Sequence, residues 1–270
     1  MMGESCRPAF RRRGLAATLL ALIAFACADG AIACGAESLG DGRVTAIGDD
    51  RTLRLTDGRV IRLAGVEWTV PAEAARATLS ALVLDRSVSL KGSPTPDRYG
   101  RLHAFPFVSG SETPIQYVLL DQELAVTAAR IGDAACRTAL LGRERAARAE
   151  RVDTKLDTRL GIAGSGDYRL HQAGNPAEIL NSLGRFAIVE GRVLSVRASG
   201  NTIYVNFGRR WSEDFTVTIA KRTERAFISA GLRPKSLEGR TIRVRGVIEE
   251  RAGPWIEATG ADQFDWDGQR

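Results

Sequence analysis

Long apolar runs, cysteine and a strong excess of either charge are all scarce in this sequence. The one sustained apolar run, Gly14 to Ala28 (GLAATLLALIAFACA), lies at the N-terminus, so nothing after it is expected to span a membrane. Lys and Arg total 38 against 32 Asp and Glu. This mild positive bias is compatible with a polyanion partner but does not by itself point to one. Wholesale disorder is also excluded, because 44% hydrophobic and 26% charged residues in a chain of 270 suit one or two compact domains.

The apolar run follows Arg7, Arg11, Arg12 and Arg13 and precedes Ala31-Ile32-Ala33, the small-x-small pattern that a signal peptidase reads. Residues 1–33 are therefore expected to be a signal peptide and the protein to be exported, to the periplasm or cell envelope. Cleavage removes those four arginines with Glu4 and Asp29, leaving 34 basic and 30 acidic residues, a net charge of +4. Cys6 and Cys27 leave too, so Cys34 and Cys136 are the thiols of the mature chain. Such a pair in an oxidising compartment usually bridges. Closing a loop of about a hundred residues would stabilise by roughly 4–5 kcal/mol in the chain-entropy view. The competing reading is a lipid anchor at Cys34, although Ala31 stands where a lipoprotein signal prefers Leu.

Beyond residue 33 the hydrophobic period is mostly two. Gly42 to Gly48, Thr52 to Thr56 and Arg59 to Ala64 read as strands, the last two joined by an Asp57-Gly58 hairpin turn. Ala72 to Leu84 carries apolar residues at helical spacing. Ser87 to Lys91 and Leu102 to Val108 are strands again, with Pro106 placing the second at a sheet edge or a bulge. A short helix is expected over Pro114 to Gln122. Asp133 can cap a longer one reaching about Arg151, with Cys136, Leu140 and Ala147 inward and a run of Arg and Glu on a solvated face.

Residues 34–158 read as a first domain, residues 159–182 as a Gly-rich linker and residues 183–266 as a second domain. In the latter, Phe186 to Val196, Asn201 to Phe207, Asp214 to Ala220, Arg240 to Glu249 and Pro254 to Thr259 are strands around a helix at Thr223 to Ala230. Three strands, a helix and two strands is the order of the five-stranded OB barrel, and both halves show it. The fold class expected is mainly β with flanking helices (α+β), built as two OB-type barrels.

The stretch Asp49 to Glu67 (DDRTLRLTDGRVIRLAGVE), followed after a helix by Asp97-Arg98-Tyr99-Gly100-Arg101, resembles the staphylococcal nuclease (thermonuclease) family over about residues 42–150. The resemblance implies hydrolysis of phosphodiesters in DNA and RNA with calcium, a glutamate base and two arginines. Negative charge builds on the phosphoryl oxygens in the transition state. Two guanidiniums can clamp those oxygens while metal and base serve the attacking water. By position Arg62 and Arg101 match the two arginines, Arg98 and Tyr99 match a basic residue and an aromatic beside the phosphate, and Glu67 matches a metal ligand. The plainer alternatives are a surface strand arginine for Arg62 and a carboxylate partner for Arg101.

The remaining positions depart from the family. Arg51 stands where an aspartate ligand is implied, Val70 where the base is implied, and two tyrosines implied near Ala128 to Ile131 are missing. An arginine in a hard-cation site places positive charge where the ion belongs, and Arg51 can instead pair with Glu67. No metal or other cofactor is expected. Glu73 could act as a base only if the loop were shifted; as an acid in a first helical turn it is already explained by the helix dipole.

In the second domain, alternation turns Ile203, Val205 and Phe207 inward together with Phe215, Val217 and Ile219. Tyr204 is left as an outward aromatic near Arg209, Arg210 and Trp211. This set could stack on and neutralise single-stranded nucleic acid, or the Trp could cover the barrel end beside two solvated arginines. The run from Phe186 to Glu257 resembles the C-terminal extension of some exported thermonuclease-like proteins. The expectation is an exported thermonuclease-like protein that binds nucleic acid or another polyanion, with weak or no phosphodiesterase activity. An active secreted metal-dependent nuclease and a non-enzymatic envelope protein-interaction module are the alternatives.

Overall fold

Alternating apolar residues close the first half into a barrel. The computed structural model describes residues 34, 35, 37–154, 170–210 and 212–265. Its first strands are β1 (Glu37–Ile47), β2 (Thr52–Leu55), β3 (Val60–Leu63), β4 (Val66–Trp68), β5 (Ser87–Gly92) and β6 (Leu102–Val108). All but β4 form a closed sheet in the order β1-β2-β3-β6-β5. Gly58, at φ 87°, turns the chain between β2 and β3, as glycine does most readily. Val44, Leu53, Ile61, Val88 and Leu90 fill the interior.

Outside the barrel, α1 (Ala72–Val83) buries Ala75, Leu79 and Val83, and α2 (Ile115–Asp121) buries Ile115, Leu119 and Leu120. β7 (Ala125–Thr127) pairs with β4 and leads to α3 (Ala134–Thr154). Asp133 caps α3 by accepting from the Cys136 amide at 2.6 Å. Cys34 and Cys136 are both buried and sit at disulfide distance, S–S 2.06 Å with the Cα atoms 4.4 Å apart. Pro106 corrects the sequence expectation, since β6 lies between β3 and β5 and Pro106 stays in register opposite Leu90. The β3 ladder ends at Leu63 opposite Ala104, so the N–H that proline lacks is not missed there.

The second half comprises β8 (Leu170–Gln172), α4 (Pro176–Leu180), β9 (Phe186–Arg192), β10 (Ser195–Ser199), β11 (Thr202–Asn206), β12 (Thr216–Ala220), α5 (Glu224–Ser229), β13 (Thr241–Val247), β14 (Glu249–Glu250), β15 (Pro254–Ala258) and β16 (Phe264–Asp265). These strands make two sheets, β10-β11-β12-β15-β14 and β16-β13-β9-β8, around a core that includes Phe215, Val217, Phe227, Ile256 and Phe264. Part of the stretch expected to be linker is structured, because β8 pairs parallel with β9 and α4 buries Ile179. Elements of three and five residues are too short for periodicity to reveal. The rest of that linker, residues 159–169, lies outside the described residues, as does the expected signal peptide at residues 1–33.

The charged run of α3 is not simply a solvated face. Glu144, 4% exposed, accepts from the Thr127 amide at 2.7 Å and from Arg245 Nη1 at 3.1 Å, and pairs with Arg148. Arg245 projects from β13, is 0% exposed, and also donates to the Thr127 carbonyl at 2.8 Å. Arg145 pairs with Asp265, itself buried in β16. A second body packs on this helix face, so its charges are buried and must be paired. Among the described residues no helix is long and apolar enough to cross a membrane.

Candidate phosphate-binding surface

Strand alternation puts Arg62 on the outside of the barrel. Its neighbours Ile61 and Leu63 enter the core, while Arg62 is half-buried opposite Thr52 of β2 and His103 of β6. No carboxylate lies within ion-pair distance of it among the described residues.

The loop before β6 is organised by one side chain. Asp97 Oδ1 accepts from the amides of Tyr99 at 2.9 Å and Arg101 at 3.0 Å, and Oδ2 accepts from Arg101 Nε at 2.9 Å. Gly100, at φ 75°, allows the reversal. The turn holds Tyr99 outward, 64% exposed, with the Arg98 and Arg101 guanidinium carbons 4.7 and 4.9 Å from its ring centre. The hydrogen bond from the Arg101 side chain is the largest influence holding the Asp97 carboxyl well below the usual range. Arg101 thus has the carboxylate partner that the plainer reading anticipated, and Nη1 stays available among the described residues.

Asp49 connects the two arginines. Burial works to raise its carboxyl, but the Thr52 side chain, then the Arg51 amide (2.8 Å), and then the charges of Arg62 and Arg101 prevail and hold it low. Arg62 is paired in register with His103 of β6, whose Nε2 lies 3.4 Å from Asp97 Oδ2, so β3 adjoins the turn that carries Tyr99 and Arg101. Arg62 also acts on Glu67 of β4, where burial pushes the carboxyl up and Arg51 and then Arg62 oppose it.

Arg51 and Glu67 form the ion pair that the sequence allowed, Nη1 donating to Oε2, and Arg51 Nε lies 3.6 Å from Asp50. This donor set does not fit the calcium that the resemblance implies. The matched carboxylate is already engaged by a guanidinium, and a cation would meet that positive charge directly. Among the described residues no group of three or more His, Cys, Asp or Glu is placed to hold a metal. Val70 supplies no base, and Glu73 is exposed in the first turn of α1.

The segment where the resemblance implies two tyrosines is given over to the second half. Arg130 Nη2 donates to Thr259 Oγ1 at 2.6 Å, and the amides of Ile131 and Gly132 face Asp262 Oδ2 at 3.4 and 3.3 Å.

The second expected patch is assembled differently from its description in the sequence. Tyr204 is half-buried, edge-on to Trp255 with ring centres 6.1 Å apart. Trp255, on β15, is the aromatic that the sequence reading missed; its strand was anticipated but its face was not. Arg210 pairs with Glu213 at 2.7 Å, and its amide donates to Asp214. Arg209 is exposed, and Trp211 lies outside the described residues. Comparison of the chain with protein-family models and with curated proteins finds no match, so the functional reading rests on this geometry.

Proposed function

We propose that the protein is an exported, thermonuclease-like binder of single-stranded nucleic acid or a similar polyanion, with little or no calcium-dependent phosphodiesterase activity. The observation that carries this reading is how the arginines are divided. Arg51 neutralises Glu67, whereas Arg98 and Arg101 flank the exposed Tyr99 ring and Arg62 stands on β3 beside His103 of β6, without an ion pair among the described residues. Three guanidiniums against Asp49 and Asp97 leave a positive surface. A guanidinium fork suits phosphate oxygens and an exposed ring suits a base. The cysteine pair is compatible with export. The second half supports a further OB-type reading: β12 pairs parallel with β15 as β3 does with β6, and β9 with β10 would serve as the shared first strand of a barrel left open between β13 and β15.

Fluorescence anisotropy of a labelled single-stranded oligonucleotide tests the binding. Affinity is expected to fall with salt at a log–log slope of about −2, as for two or three phosphate contacts. Arg62→Ala is expected to weaken binding about tenfold. Salt-independent retention, or indifference to Arg62→Ala, would remove the proposal. With calcium, cleavage of single-stranded DNA is expected at least about a thousandfold below that of an intact family member, since base and metal contributions are both impaired. Arg51→Asp with Val70→Glu should raise it more than either change alone, because such groups act as a unit. Robust chelator-sensitive cleavage by the unmodified chain would favour the nuclease alternative. Intact mass without reductant separates a Cys34–Cys136 bridge from a lipid on Cys34.

A further inference from the structure

A cleft of about 490 Å³ opens between the two halves, with Glu67, Trp68 and Val126 on one wall and Arg185, Phe186 and Ile188 on the other. That size falls in the range of about 300–1,000 Å³ typical of small-molecule sites. Its lining sets two carboxylates, Asp50 and Glu67, against Arg51, which meets both, and Arg185. The indole N–H of Trp68 donates to the Asp50 carbonyl at 2.6 Å, which fixes the ring; part of it packs on the barrel core, and its half-buried remainder lines the cleft. Phe186 is half-buried, and with Glu67 it also lines a second groove that runs past Ala128 and Val247. Arg185 is exposed at the rim, with no side-chain ion pair among the described residues.

The chemistry offered is therefore two half-buried aromatic rings, the polar side chains of Asp50, Glu67 and Thr69, and Arg185 as a cation without an ion pair among the described residues. A flat body with a polar edge and an attached anion matches it, which describes a nucleobase on its phosphate. The cleft also borders the arginine surface: the carbonyl of Arg51, which lines it, accepts from the Leu63 amide at 2.9 Å, one residue along β3 from Arg62, and Arg62 is paired with His103 beside the Asp97 turn that holds Arg101.

We infer that this cleft takes one unstacked base of a strand whose phosphates lie on Arg62 and Arg101, with Trp68 and Phe186 as stacking surfaces and Arg185 on the neighbouring phosphate. The inference rests on the nucleic-acid reading above and deepens it. A base held this way must have left its stack, so single strands are selected over duplex by the cost of unpairing. It also makes the second half part of the binding site, since Arg185 and Phe186 belong to it.

The test compares the purified full chain with its Phe186→Ala, Phe186→Trp and Arg185→Glu variants, their folding checked by circular dichroism. Each is titrated with a single strand bearing 2-aminopurine, the same-length strand made abasic throughout, and the corresponding duplex. Stacking predicts that the base-bearing strand binds about tenfold more tightly than the abasic one and that 2-aminopurine emission changes on binding. Phe186→Ala should remove most of that preference and Phe186→Trp should retain it. Arg185→Glu, an exposed change that cannot disturb the core, should weaken the single strand several-fold. Equal binding of base-bearing and abasic strands, or a folded Phe186→Ala that keeps the full preference, overturns the inference while Arg62-dependent binding leaves the broader reading standing. No binding of any strand overturns both.

Discussion

The molecule holds arginine in two opposite ways. At the joint between the halves, Arg245 is wholly buried and meets Glu144 and the Thr127 carbonyl. On the barrel surface, Arg98 and Arg101 flank an exposed tyrosine, and Arg62 lies on β3 next to the strand that follows their turn. The same side chain serves as a cross-link in one place and is presented to solvent in the other. The difference lies in what each cation meets. At the joint, a second body excludes water and every charge must find a partner. At the surface, water supports any charge left over, which keeps it available for a ligand.

The comparison breaks most sharply at the joint. Arg245→Ala removes the buried cation shared by Glu144 and Asp265 and leaves them to Arg148 and Arg145, and losing one partner of a buried pair costs up to about 3–5 kcal/mol. Urea unfolding should show that loss, whereas Arg62→Ala should stay within about 0.5 kcal/mol of the parent. Equal effects of the two changes would mean that the joint is not held by its charges. Replacing Arg245 and Glu144 together by apolar residues should recover much of the loss, because the pair's desolvation cost goes with it.

Acid sharpens the same contrast. Burial alone would raise the Glu144 carboxyl, but Arg245 and Arg148 outweigh it and hold it down at about 2. A carboxyl depressed in the folded state contributes stability that is fully present above its ordinary value of about 4.3 and is lost as pH falls towards 2. The urea midpoint should therefore drop between about pH 4.5 and 2. A Glu144→Gln variant, though less stable at neutral pH, should show a shallower drop. An unchanged slope in that variant would locate the acid response elsewhere.

What the sequence disclosed follows from the range of the interactions involved. Period-two patterning and the Asp57-Gly58 turn are local, and they placed β2, β3 and β5 within a residue or two. The Asp97 to Arg101 turn is also local, so Tyr99 and its two arginines were legible as a unit. Glu144 was not, because nothing within α3 distinguishes a glutamate facing water from one facing Arg245, about a hundred residues away. The β4–β7 pair, three residues a side, fell below the length at which alternation can be recognised. Phe186 read as a strand residue, and its place in a cleft depends on docking that no local pattern encodes.

The smallest expected effect concerns the aromatic patch of the second half, which resembles the Tyr99 surface in composition but not in the exposure of its ring. Tyr204 lies edge-on to Trp255, and the Trp255 ring is covered by Arg251 at 5.2 Å. Arg251 is in turn held by Glu249 at 2.9 Å and Glu257 at 3.0 Å. Arg251 is thus held by two carboxylates and Arg210 by Glu213, while Arg197 stands opposite Tyr204 on β10. A base approaching Tyr204 would meet a half-buried ring already packed on Trp255, where Tyr99 offers an exposed one. Tyr204→Ala and Arg210→Ala should therefore change single-strand affinity by no more than about twofold. Tyr99→Ala, which removes an exposed stacking ring, should cost about fivefold or more. All three can be read in one anisotropy series at fixed salt. If Tyr204→Ala weakens binding as much as Tyr99→Ala does, the strand crosses both halves, and the contrast between a presenting surface and a self-satisfied one fails.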